Sequence, residues 1–110
     1  MSFHKRWLEA GESRDAEAMI ALLHEDYTFV RHKSGTTMNK AQTAEMFRGF
    51  MSSDSVKIIQ QICLYENDEV VVEHSVMDFA DGTRESIINF MKLKDGLAIR
   101  SETGATIVEK

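Results

Sequence analysis

Three dipeptides, Asn67-Asp68, Asp81-Gly82 and Asp95-Gly96, constrain the second half of this chain more than any other feature. Such pairs tolerate the positive φ angles that tight hairpin turns demand. Around them the apolar residues alternate with period two, so residues 56–65, 69–79, 84–94 and 97–108 are expected to form long strands joined as hairpins. A meander of this kind has one apolar face to bury, and something else in the chain must cover it.

The first half supplies the cover. Phe3, Trp7 and Ala10 share one helical face, with Gly11 just past the expected end. Asp15 has the chemistry of an N-cap, and Met19, Ile20, Leu22 and Leu23 recur behind it at helical spacing through about Glu25. The β-branched and aromatic run at 27–30 predicts a short strand, closed by a turn at Ser34-Gly35. Asn39 and Gln42 have the spacing of a capping box, followed by the apolar stripe Ala44, Phe47, Phe50 and Met51 and a stop at Ser52-Ser53-Asp54. The expected fold class is α+β: a cone-shaped, curved antiparallel sheet packed against three N-terminal helices, with a cavity at its wide end. With no proline and no Gly/Ser-rich linker, residues 1–110 are expected to form a single domain.

Charge and cysteine content narrow the function. A net charge of −5 disfavours nucleic acid as a partner, since phosphates require a basic face. The runs His4-Lys5-Arg6 and Arg31-His32-Lys33 are too short for a binding arm. Cys63 is the single cysteine and lies between Ile62 and Leu64, where a thiol behaves as a small hydrophobe. No apolar run is long enough for a signal peptide or a membrane span, so a cytoplasmic location with no membrane partner is expected.

Two segments carry a resemblance. The run 15–23 (Asp-Ala-Glu-Ala-Met-Ile-Ala-Leu-Leu), leading through Glu25-Asp26 into the first strand, is one; the run 89–99 (Asn-Phe-Met-Lys-Leu-Lys-Asp-Gly-Leu-Ala-Ile) is the other. Together they resemble the nuclear transport factor 2-like superfamily, in its SnoaL-like branch of polyketide cyclase and ketosteroid isomerase-like domains, from Trp7 to about Glu102. The resemblance implies the fold and leaves the chemistry open, because the same cone hosts isomerases, cyclases, hydrolases and non-catalytic carriers. Ketosteroid isomerases use a tyrosine, an aspartate base and a protonated aspartate. The matching positions here are Trp7, Arg31 (within one residue) and Asn89. An indole, a guanidinium and an amide cannot exchange protons in those roles, so that mechanism is disfavoured.

The same alignment places Val70, Val72, His74, Val76 and Asp78 on the inner face of one strand, and Glu85, Ile87, Asn89, Met91 and Leu93 on that of the next. His74, flanked by valines, is the expected catalytic base, with a satisfied core histidine as the other reading. Trp7, Arg31 and Asn89 are the expected ligand-binding residues, Arg31 fixing an acidic group; core packing for Trp7 and solvated rim for Arg31 are the alternatives. Glu73, Glu85 and Asp78 are assigned to the rim, and His4 and His24 to the surface. Met38, Met46 and Met51 suit either an adaptable pocket wall or an irregular core. No ligand spacing suggests a metal, and no cofactor is expected. The function expected is binding of a small, largely apolar molecule with a polar or acidic group, with proton transfer or hydrolysis as its chemistry; the alternative is a non-catalytic dimeric carrier or interaction domain. A homodimer is expected through an outer face assigned to Met77, Phe79, Ile88 and Phe90.

Overall fold

The computed structural model describes residues 2–53 and 55–109; Met1, Asp54 and Lys110 lie outside the described residues, and with Asp54 goes one part of the expected helix stop. The element order is α1 (Phe3–Glu12), α2 (Ala16–Ile20), β1 (Leu23–Arg31), β2 (Thr36–Asn39), α3 (Lys40–Met51), β3 (Lys57–Glu66), β4 (Val70–Asp78), β5 (Arg84–Lys94) and β6 (Leu97–Val108). The strands form a six-stranded sheet in the order β2-β1-β6-β5-β4-β3. Every pair is antiparallel except β1 with β6, which is parallel. Among the described residues no helix is long and apolar enough to cross a membrane.

Each helix begins where its cap directs. Ser2 accepts from the Lys5 amide, Asp15 from Ala18, and Asn39 with Gln42 closes the reciprocal capping box at 2.9 Å in both directions. The second helix is shorter than its apolar spacing suggests. It ends at Ile20, and the Leu22 carbonyl already accepts from the Ala98 amide of β6 at 2.9 Å. All of Met19, Ile20, Leu22 and Leu23 are nonetheless buried, two from the helix and two from the turn and strand that follow. Burial was readable from the pattern; sheet pairing overrode the helical period.

The turns set the register. Asp95 and Gly96 both have positive φ, 54° and 76°, giving the two-residue hairpin between β5 and β6. Between β4 and β5 the loop holds three residues, Ala80, Asp81 and Gly82, because Phe79 pairs with Thr83. Extra residues also interrupt β3 between Ile58 and Gln60 and between Cys63 and Tyr65, and β6 near Ile99. Such bulges bend and twist strands, so the sheet curls toward the helices. In its hollow α1 packs against α2 and β3, and α3 against α2, β1 and β2.

Candidate functional site

Between the helices and the hollow of the sheet lies a cavity of about 200 Å³. Its roof is aromatic and sulfur-rich. Trp7 of α1 stacks on Phe3 at 5.9 Å and meets Phe47 of α3 edge-on, and Phe47 in turn meets Phe50. Met19, Met46 and Met51 fill the gaps between them. At the mouth Arg14, with φ of 52°, lays its guanidinium across the carbonyls of Phe50, Met51 and Ser53. The last carbonyls of α3 thereby find donors.

The floor is polar along one line. Cys63 pairs with Glu73, Glu73 with Asn89, Asn89 with Thr103, and Thr103 with Arg31. Directly opposed residues share a face. Five strands therefore place these side chains in a single transverse row on the concave side. Neighbouring strands lie about 4.8 Å apart, so roughly 14 Å separates the backbones at Glu73 and Arg31. Toward one end of the row, next to Cys63, stands a carboxylate; the other end is a cation.

The carboxylate end is built with care. Glu73 is 2% exposed and His4 4%. His4 Nε2 donates to Glu73 Oε1 at 2.9 Å, and Gln61 Nε2 donates to the same oxygen at 2.6 Å. The His4 amide is taken by Glu66 Oε2 at 2.9 Å, which docks the start of α1 on β3 with an anion against its positive pole. In the middle of the row Asn89 Oδ1 is buried without a hydrogen bond among the described residues. Ser101 Oγ, one step along β6, is buried too and has the Tyr27 phenol beside it. That phenol is pushed up to about 12 by burial, with the Ser101 hydroxyl opposing part of that rise. At the cation end the Arg31 side chain is exposed and makes no hydrogen bond or ion pair among the described residues, whereas Lys33 pairs with Glu85 across the rim.

Trp7, Arg31 and Asn89 all line the cavity, as their sequence positions suggested. His74 does not. It pairs with Ile62 and Ile88 on the outer face, where its Nε2 meets Ser86 Oγ at 2.8 Å. The inner face of β4 is Val71, Glu73, Ser75 and Met77, one residue out of step with the expected set, while the inner set of β5 stands as expected. The assignment of His74 as a base inside the pocket is therefore corrected: a one-residue difference in register exchanges the two faces of a strand. For the same reason Met77 and Phe79 line the cavity rather than the outer face. His4 is a core residue and not a surface one, and Glu73 belongs to the floor and not the rim. The alternation in β4 could have shown Glu73 on the face of Val71; nothing in the sequence near His4 announces its partner 69 positions away. Among the described residues no group of three or more His, Cys, Asp or Glu side chains is arranged to hold a metal ion.

Known structures share this fold. A "putative ketosteroid isomerase" from Kribbella flavida superposes with a TM-score of 0.74 at 13% identity, over 98% of this chain and 78% of that one. A "putative polyketide cyclase" from Silicibacter sp. TM1040 gives 0.73 at 19% identity over 94% and 86%. A nuclear transport factor 2-like protein of unknown function from Cytophaga hutchinsonii gives 0.76 at 11% over 94% and 87%. At these identities the likeness establishes the fold. No functionally curated protein sequence matches the chain. The SnoaL-like domain model, however, matches residues 4–101, nearly its whole length. The chain belongs to the SnoaL-like domain family, with the nuclear transport factor 2-like fold.

Proposed function

We propose that this chain binds a small, largely apolar molecule carrying one polar or acidic group in the cavity beneath α1 and α3. The observation that carries the reading is the orphaned polar atom Asn89 Oδ1, buried in an aromatic-roofed hollow without a hydrogen bond among the described residues. Buried polar groups are almost always hydrogen-bonded, and an unmet one costs about 1–3 kcal/mol. A ligand that supplies the missing donor removes that cost. Arg31, at the other end of the row and without an ion pair among the described residues, suits a carboxylate or another anionic group at the mouth. The isomerase and cyclase names among the similar structures agree with a small-molecule pocket and leave the reaction open.

Quenching of Trp7, the single tryptophan, reports occupancy directly. A panel of naphthalenes with and without a carboxylate is expected to quench it saturably. Arg31→Gln should weaken the carboxylates at least tenfold and leave the neutral members unchanged. No saturable quenching by any member would overturn the proposal.

The second reading, a dimeric carrier or interaction domain, draws on the outer face of the sheet. Ile62 and Ile88 are each 45% exposed on either side of His74, with Phe90 36% exposed beside them. A contiguous exposed apolar patch of this kind commonly marks an interface, and a second copy of the chain is the occupant proposed.

A further inference from the structure

The polar groups on the floor of the cavity differ in kind from one end to the other. Glu73 receives both of its donors, His4 Nε2 and Gln61 Nε2, on Oε1. Among the described residues Oε2 accepts no hydrogen bond, and the side chain lines the cavity. Beside it on β5, Asn89 Oδ1 is likewise without a donor. An ionised carboxylate and an amide oxygen only accept, so a ligand at this end must bring the hydrogen. The polarity is opposite to that of a tyrosine and a protonated aspartate, the groups of the ketosteroid isomerases, which both donate.

Charge decides between a hydroxyl and an ammonium as that donor. Glu66, whose Oε2 holds the His4 amide, is a second carboxylate in this corner. Two carboxylates face one imidazole, so even a protonated His4 ring leaves a negative charge unmatched. Among the described residues no lysine or arginine pairs with Glu73 or Glu66. Cys63, opposite Glu73 on β3, registers the field: burial first, then Glu66 and, more weakly, Glu73 push its thiol up. A buried anion without a fixed cation gains most from a partner of opposite charge that also donates.

We propose that the cavity takes an elongated amino acid, its ammonium on Glu73 Oε2 and Asn89 Oδ1, its carboxylate on Arg31, and an apolar spacer beneath the aromatic roof. The inference rests on the binding pocket proposed above and adds the ammonium end to it. Roughly 14 Å separates the backbones at Glu73 and Arg31, so an α-amino acid, with both charges on one carbon, cannot reach both. A rigid bicyclic spacer with the charges at opposite ends suits the row. His4 and Gln61 act as positioning residues: they hold Oε1 and leave Oε2 to the ligand. The anchor is firm, because Glu66 holds the His4 amide and Gln61 lies on the strand paired with β4.

The test compares naphthoates of nearly equal size that differ at one end: 6-(aminomethyl)-, 6-(hydroxymethyl)- and 6-ethyl-2-naphthoate. Each is titrated into the whole protein at neutral pH and read by Trp7 quenching, with 2-naphthoate as the reference for the pocket itself. The aminomethyl compound is expected to bind at least tenfold tighter than the ethyl one, with the hydroxymethyl compound between them. Glu73→Gln keeps the volume and an acceptor for His4. It should abolish the preference for aminomethyl over hydroxymethyl and leave the affinity of the ethyl compound unchanged. Arg31→Gln should weaken all of them alike, since each carries the carboxylate, and leave the preference intact. Should Glu73→Gln fail to fold, the double variant His4→Leu with Glu73→Leu, which strands no charge, supplies the same comparison. Equal affinities for the aminomethyl and ethyl compounds in a wild type that binds 2-naphthoate would overturn the ammonium site and leave the pocket standing. So would a preference for the amine that survives loss of the Glu73 charge. Failure of every naphthoate to quench the wild type would remove both.

Discussion

Replacing His4 with leucine tests the buried pair through stability alone. His4 and Glu73 have side chains only 5% and 3% accessible, and the 2.9 Å contact is one of two hydrogen bonds to the carboxylate. With His4 removed, Glu73 keeps a single neutral donor and stays out of water. Stranding a buried charge in this way costs about 3–5 kcal/mol. Small domains unfold with about 5–15 kcal/mol in total, so the loss is a large part of the whole. At about 4 °C per kcal/mol, the midpoint should fall by roughly 12–20 °C. Glu73→Leu leaves the His4 ring without its acceptor and should cost about 1–3 kcal/mol. The double variant has no charge left to strand and fills the site with apolar volume, so it should recover at least about 2 kcal/mol relative to the sum of the singles. Urea unfolding followed by circular dichroism measures all four corners of the cycle. A His4→Leu variant within about 1 kcal/mol of wild type, or strictly additive singles, would refute the description of this pair as buried and coupled.

Two further outcomes are expected. Ile88→Glu with Phe90→Glu should convert a dimer to a monomer in sedimentation while leaving 2-naphthoate quenching intact; a wild type already monomeric at micromolar concentration would remove the interface. Burial first, and then the neighbouring Glu66 carboxylate, pushes the Cys63 thiol above its ordinary range. Its thiolate fraction at neutral pH is therefore reduced, so alkylation should be slower than for free cysteine and still climbing at alkaline pH where the free thiol has levelled off.

Local signals in the sequence read true where a single short-range cause decides the outcome. Asn39 and Gln42 cap α3, and Asp95-Gly96 forms a two-residue turn because both residues accept positive φ. The inner face of β5 follows from Asn89, Met91 and Leu93 alternating with exposed neighbours. What failed was the inward face of β4 as the resemblance implied it. A two-residue loop at Asp81-Gly82 would set His74 opposite Asn89. The observed three-residue loop, with Asp81 Oδ1 accepting from the Thr83 amide and hydroxyl, sets Glu73 there instead. Both faces of β4 carry valines, so hydrophobic pattern alone could not correct the assignment. A glutamate on the inward side reads as an error until its partner is known, and that partner lies on α1, far away in the chain.

The bulges in β3 have a consequence beyond curvature. β3 is an edge of the sheet, and Ile59, Ile62 and Leu64 all stand exposed along it. A flat strand of that composition would template the addition of a stranger's strand, the first step toward aggregation. The interruptions near Ile59 and Leu64 leave only residues 60–63 in regular pairing between them. So short a stretch offers an incoming chain too few backbone partners in register to hold it. The irregularity that hollows the sheet also keeps its open side from growing.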